Sequence, residues 1–319
     1  MNLEGQDLLV LEQLYDAYFG SADFSISLDA LSATTGLKRG QMEVSLQRLK
    51  YAGLAKFQSF NNVRITPDGV LKYETSKGQT PICRKVLEIR HSIIIRIGAK
   101  LKDQPYSRIR SSEIQEYLKL SANELEAHFM ILKHLHLLQQ QNWPFINVTP
   151  NFWAYYDEIH ELERIKGKFE SLLKSGPPDI TPQKRGLDFQ KLFAELLRYL
   201  GWTVDKSVRT PGEEIDIIIS KGMEHWLLEC KYQKRPVGSS EISKFLTKLR
   251  ARAGVNGIFL SISGFTKDAV STAEREIHQK IIVLLDRKDI ESIVTEPKNF
   301  DTFIRKKWHL AISKRKLQK

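Results

Sequence analysis

Shifting residues 26–73 by 83 positions lays the chain on itself without a gap. Ile26 falls on Ile109, Leu31 on Ile114, Leu37 on Leu120, Leu46 on Phe129, Leu49 on Leu132, Leu54 on Leu137 and Ile65 on Val148. Thr66-Pro67 lands on Thr149-Pro150, and Tyr73 on Tyr156. Solenoid repeats are shorter and come in at least three copies, so two long copies mean a duplicated small domain.

Each copy spells the same order of elements. An apolar-periodic helix (6–19, then 84–101) leads to a short extended piece, SISL or SRIR. A short helix follows, then a turn and a longer helix, RGQMEVSLQRLKYAG or ANELEAHFMILKHLH. Two short strands around a polar tip close the unit. Leu46 and Leu49 share one helical face, and Asn61-Asn62 suits the positive φ of a hairpin turn. This order resembles the winged-helix fold, with one domain over 1–80 and a second over 81–156.

Residues 157–184 read as a connecting helix ended by the proline-rich hinge SGPPDITPQK. From 185 the pattern changes. GLDFQKLFAELLRYLGW is a strongly amphipathic helix, and EEIDIIIS and HWLLECKY are successive strands. Helix, strand GIFLSI, helix and strand IIVLLD follow. That succession argues an α/β domain with a mixed sheet over 185–296. Residues 297–319 form a basic tail, expected to be helical.

Charge limits the partners. The chain has 49 Lys plus Arg against 38 Asp plus Glu, a formal +11. Residues 1–156 hold 18 basic and 15 acidic side chains, so most of the excess lies in the second half. A basic excess favours a polyanion. Cys83 and Cys230 are the only cysteines, which excludes a disulfide framework and a cysteine-based zinc module. With no long apolar run and no leader-like N-terminus, a cytoplasmic protein with no membrane partner is expected. No GxxxxGK[ST] or GxGxxG run occurs, so nothing points to a nucleotide motor.

Polar residues interrupt the two apolar strands at telling places. Asp216 breaks EEIDIIIS, and Glu229 and Lys231 break HWLLECKY. Alternation puts Glu229 and Lys231 on one face, about 6.5–7 Å apart. Burying such charges is costly unless they pair or bind metal. Two carboxylates on neighbouring strands make a hard oxygen site for Mg²⁺, and a nearby lysine suits metal-assisted phosphodiester hydrolysis. A structural ion pair in a catalytically dead sheet is the bland alternative.

Asp216 with Glu229-Cys230-Lys231 resembles the D…(D/E)xK pattern of restriction-endonuclease-like nucleases. The stretches GLDFQKLFAELLRYLGWTV, GEEIDIII, LLECKY, RPVGSSEISKF and GIFLSISGFTKDAVSTAE resemble the Mrr-like catalytic domain, in its order and approximate spacing. The resemblance implies two α+β winged-helix domains followed by an α/β restriction-endonuclease-like domain with a mixed central sheet. It implies Asp216 and Glu229 as Mg²⁺ ligands, with the backbone carbonyl of Cys230 as a third and Mn²⁺ as a substitute. Lys231 would orient the attacking water. Relatives carry a glutamate where this chain has Gln190, so Gln190 would be an uncharged auxiliary residue and a second metal is in doubt.

The third helix of a winged helix is the one that enters a DNA groove. In the first copy it offers Lys38, Arg39, Gln41, Ser45 and Arg48, with Arg64 on the wing. The second copy has Glu124 and Glu126 there, which repel phosphate and suit a partner surface. Near the nuclease site, Lys234, Arg235 and Lys244 are candidate phosphate contacts. The expected function is a type II-like or modification-dependent deoxyribonuclease acting on double-stranded DNA in defence. A homodimer or higher oligomer and defence-system partner proteins are expected. The alternatives are a DNA-binding regulator with a vestigial nuclease domain, and a repair or junction-processing nuclease.

Overall fold

The computed structural model describes residues 3, 5–77, 80–139, 144–173, 181–210 and 213–317. The chain divides into two compact units, residues 1–160 and 161–319.

The first unit begins with α1 (Gly5–Gly20), β1 (Ile26–Ser27), α2 (Leu28–Thr35), α3 (Arg39–Tyr51), β2 (Ala55–Phe57), β3 (Asn62–Ile65) and α4 (Pro67–Lys77). It continues with α5 (Pro81–Leu101), β4 (Ile109–Arg110), α6 (Ser111–Leu118), α7 (Ala122–His134), β5 (Phe145–Ile146) and α8 (Pro150–Leu173), which belongs to this unit as far as His160. The offset of 83 carries α2 onto α6 and α3 onto α7 residue for residue. It also carries the Ile26–Val63 strand pairing onto Ile109–Ile146, and Ala55–Ile65 onto the isolated bridge Leu138–Val148.

The correspondence reaches single hydrogen bonds. Thr66 N–H donates to Leu54 O at 2.9 Å, and Thr149 N–H to Leu137 O at 3.0 Å. The Gln41 side chain accepts from Lys38 N–H, as Glu124 does from Ser121 N–H. After the second and third helices of the first copy, Gly36 and Gly53 take φ of 66° and 72°. Lys119 and His136 stand at the matching places with φ of 55°. Glycine enters that left-handed region without penalty, whereas a side chain costs about 1–2 kcal/mol.

Two local expectations differ from the structure. The first hairpin tip is the four-residue loop 58–61, closed by Gln58 N–H to Asn62 O. A loop of that length needs no primed turn. Neither Asn61 nor Asn62 has positive φ, and Asn62 already belongs to β3. The second wing is largely outside the described residues, since 140–143 are not among them.

The second unit holds the rest of α8, then α9 (Pro182–Tyr199), β6 (Thr203–Thr210), β7 (Glu213–Lys221), β8 (Glu224–Lys231), α10 (Ser239–Arg250), β9 (Val255–Ser261), α11 (Lys267–Arg275), β10 (Ile282–Leu285), α12 (Arg287–Thr295) and α13 (Phe300–Lys314). Helix α9 starts four residues earlier than the apolar pattern suggests. Thr181 caps it by accepting from Lys184 N–H, and Pro182 opens it where a missing N–H is harmless. Residues 175–180 of the proline-rich hinge lie outside the described residues.

The five strands run in the order β10-β9-β8-β7-β6. The pairs β10–β9 and β9–β8 are parallel, and β8–β7 and β7–β6 are antiparallel, so the sheet is mixed. Both faces are covered. Phe189, Phe193 and Leu197 of α9 pack with Trp226, Leu228 and Cys230, joined by Ile290 of α12 and Phe300 of α13. Ile242, Phe245 and Leu249 of α10 pack with Leu227 and Phe259 on the other side. A Cβ on Gly257 would stand 2.7 Å from Leu249 Cδ1 and 2.8 Å from Phe245 Cε1, so its absence lets α10 press close to β9.

Candidate active site

The β7–β8 ladder pairs Lys221 with Glu224 and continues to Ile217 with Leu228, where it ends. Its next rung would join Asp216 to Glu229. There the Asp216 carboxylate replaces the main-chain acceptor, taking a hydrogen bond from Cys230 N–H at 2.8 Å. At this rung a side-chain acceptor takes the place of a main-chain one.

Glu229 and Lys231 project to the α10 face, away from Cys230. Lys231 Nζ lies 2.8 Å from Glu229 Oε1, and Lys248 Nζ of α10 lies 2.8 Å from Glu229 Oε2. Glu229 is 7% exposed, whereas the two lysine side chains keep 33% and 20% of their surface. The cluster is buried at the carboxylate and open at the ammoniums.

Its electrostatics follow from that layout. Burial, then the neighbouring Glu229 charge, raises the Asp216 carboxyl above its ordinary 3.8, against the pull of the Cys230 N–H and both lysines. Burial works against the Lys231 ammonium, yet the Glu229 charge and hydrogen bond leave its pKa above the ordinary 10.5. Burial also pushes the Cys230 thiol well up, so it is an inert packing residue rather than a nucleophile.

Residues 183–294 match the family model Mrr_cat, described as a restriction endonuclease. This stretch is an Mrr-like catalytic domain. No curated protein matches the chain. The match supports a restriction-endonuclease-like nuclease domain over residues 183–294, and such domains generally use divalent metal ions. It spans α9 to α12 and so contains Asp216, Glu229, Lys231 and Lys248.

The structure brings together only part of the expected set. Gln190 sits on α9, which covers the sheet face opposite Glu229, and among the described residues no hydrogen bond joins it to either carboxylate. Glu195 on the same helix is held by Arg164 at 2.9 Å and Lys168 at 3.6 Å. Lys234, Arg235 and Lys244 are solvent-exposed on the loop and helix that follow β8. Lys248 is not marked by the strand pattern that singles out Asp216, Glu229 and Lys231. Its signal was a lysine three residues after Phe245 and one before Leu249, on the inward side of α10.

In the first unit, Lys38, Arg39 and Gln41 are exposed at the start of α3, with Arg39 paired to Glu43. Ser45 does not belong to that surface. It is fully buried, because α3 turns it toward the core with Met42, Leu46 and Leu49. Arg48 is half-buried and ion-paired at 3.1 Å with Asp7 of α1, which is itself 1% exposed. Arg64 is half-buried on β3. The outward residues of α3 include Val44 and Tyr51, 54% and 89% exposed.

Helix α7 has a different fate from α3. Leu125, Phe129 and Leu132 face its own copy's core, while Ala127 and Ile131 join the core of the first copy. Tyr18 OH donates to Ala127 O, and the Phe19 ring lies 5.1 Å from that of His128. Burial and the nearby Arg90 charge lower the His128 pKa to about 3. Helix α7 is therefore packed on both sides.

Proposed function

We propose that the chain is a Mg²⁺-dependent DNA endonuclease that hydrolyses phosphodiester bonds. The observation that carries this is the ladder break between β7 and β8, which sets Asp216 beside Glu229 and Lys231 within the stretch matching the restriction endonuclease family.

The donor set suits one magnesium ion. Asp216 and Glu229 repel each other in a half-buried place, a conflict that a divalent cation relieves. Both are hard oxygen donors, and Mg²⁺ takes few carboxylates and keeps several waters. The N–H and C=O of one extended residue point toward the same neighbouring strand. Since Cys230 N–H faces Asp216, its carbonyl faces the same gap and would be a third donor.

When bound, the ion would polarise the scissile phosphate and lower the pKa of the attacking water. Asp216 and Glu229 would hold it. Lys231, anchored by Glu229, would orient the water and stabilise developing negative charge. Lys234, Arg235 and Lys244 would hold flanking phosphates.

The two copies of the first unit are proposed to be winged helices. The first would hold duplex DNA through Lys38, Arg39, Gln41 and the outward residues of α3. The second would act as a structural partner, since its α7 is already covered. A cytoplasmic role in restriction of foreign or modified DNA, as a homodimer and with defence-system partners, completes the reading. Digestion of a panel of methylated duplex, plain duplex, junction and single-stranded DNA tests it. Cutting confined to one duplex class supports the restriction reading, and cutting confined to junctions replaces it with a repair role.

A further inference from the structure

Glu229 holds more positive charge than a structural pair needs. A second lysine on the same carboxylate adds cost, because each ammonium drawn to a buried carboxylate gives up part of its hydration. Lys231 alone would satisfy Glu229 from the same strand. Lys248 instead comes from α10, where Ile242, Phe245, Leu246 and Leu249 are all buried, and its side chain is only 20% exposed. Gly257 keeps α10 near the sheet, as its missing Cβ leaves room for Phe245 and Leu249.

Charge counting gives the second lysine a purpose. Asp216, Glu229, Lys231 and Lys248 together are neutral. A divalent cation makes the cluster +2. A phosphodiester carries one negative charge, and its transition state with an attacking hydroxide carries two. Two positive charges therefore match the transition state better than the ground state, which is the condition for acceleration. Without Lys248 the cluster would match the ground state.

We propose that Lys248 is a further catalytic residue, whose ammonium moves from Glu229 Oε2 to a non-bridging oxygen of the scissile phosphate and supplies the charge that a second metal ion would otherwise bring. This rests on the nuclease reading above. In the reaction a bond forms from the water oxygen to phosphorus and the P–O3′ bond breaks. The water loses one proton and the departing 3′ oxygen gains one, leaving a 5′-phosphate and a 3′-hydroxyl.

The test uses the full chain as wild type, Lys248→Met, Lys248→Arg and, as a control at an exposed position of α12, Lys288→Ala. Mn²⁺ binding is titrated without DNA, and single-turnover cleavage is timed on duplex DNA. Lys248→Met is expected to bind Mn²⁺ at least as tightly as wild type, since a competing ammonium has left Glu229. It is expected to cut at least about 100-fold more slowly, with Lys248→Arg recovering part of the rate and Lys288→Ala unchanged. Mn²⁺ binding weakened tenfold in Lys248→Met would mean that the lysine only holds Glu229 in place, and overturns the inference. Cleavage within threefold of wild type overturns it too, while leaving the nuclease reading intact. A wild type that binds Mn²⁺ but cuts no DNA removes both.

Discussion

Each unit buries an ionic cluster, and the two are built on opposite plans. In the first unit Arg90 grips Glu74 with two hydrogen bonds of 2.8 and 2.7 Å, and Tyr15 OH donates to the same carboxylate. Arg90 is 2% exposed and Glu74 9%. One cation meets one anion, and Glu74 has both oxygens taken, while Arg90 Nε is left without a hydrogen-bond partner among the described residues. In the second unit two lysines that remain partly open to solvent both pair with Glu229, and Asp216 is held by one main-chain N–H while Glu229 repels it. A structural network pairs its charges one to one within the fold. A site leaves a conflict for a ligand to resolve.

That contrast is sharpened first by Lys231→Ala. Cleavage should fall by about 10²–10⁴-fold while the fold persists, because Lys248 still pairs with Glu229. Equal loss of folded protein would place Lys231 with the structural cluster instead. Next is Arg90→Met, which strands a buried carboxylate and should cost about 3–5 kcal/mol in a denaturant titration. Adding Glu74→Leu should recover much of that loss, since a well-packed apolar pair replaces a buried ion pair at little cost.

Asp216→Asn should do the reverse of Arg90→Met and stabilise the metal-free protein at neutral pH. The folded-state pKa of Asp216 is raised, so the folded protein holds that proton more tightly than the unfolded chain. Its favourable contribution is complete below the ordinary carboxylate pKa of 3.8 and is lost as pH rises through the raised folded value. Thermal melts in EDTA should therefore show wild type and Asp216→Asn converging at acid pH and separating toward neutrality. Metal affinity of the wild type should weaken on acidification over the same window.

Smaller effects separate α3 from α7. Lys38→Ala or Arg39→Ala should weaken duplex binding several-fold and lower its salt slope by about one. Ser45→Ala should change DNA affinity less than twofold, because its side chain is buried. A large effect of Ser45→Ala on affinity, with stability unchanged, would break the assignment of α3's outward face.

The sequence made the second unit's order of helices and alternating strands readable, because α9, β7, β8, α10, β9 and β10 are strongly periodic. Asp216, Glu229 and Lys231 stood out as charges inside apolar runs. β6 did not, since its charged Asp205, Lys206 and Arg209, set around Val204 and Val208, look like loop, and only pairing with β7 makes it a strand. Lys248 was hidden because a lysine beside an apolar stripe can either reach for water or turn inward, and that choice depends on Glu229 across the gap. Ser45 was misread for the same kind of reason. A small polar residue on an amphipathic helix gives no sign of its direction until α3 packs on α1. The covering of α7 by the first copy was equally invisible, because Ala127 and Ile131 meet α1 and α4 only in three dimensions.

The most direct test of the central claim is supercoiled plasmid cleavage by the full chain in Mg²⁺, beside Asp216→Asn and an EDTA control. Nicking and linearisation are expected from the wild type alone, abolished by EDTA and by a substitution that leaves the fold at least as stable. Cutting that survives either change, or a folded wild type that binds DNA and never cuts it in Mg²⁺ or Mn²⁺, contradicts a metal site at Asp216 and Glu229.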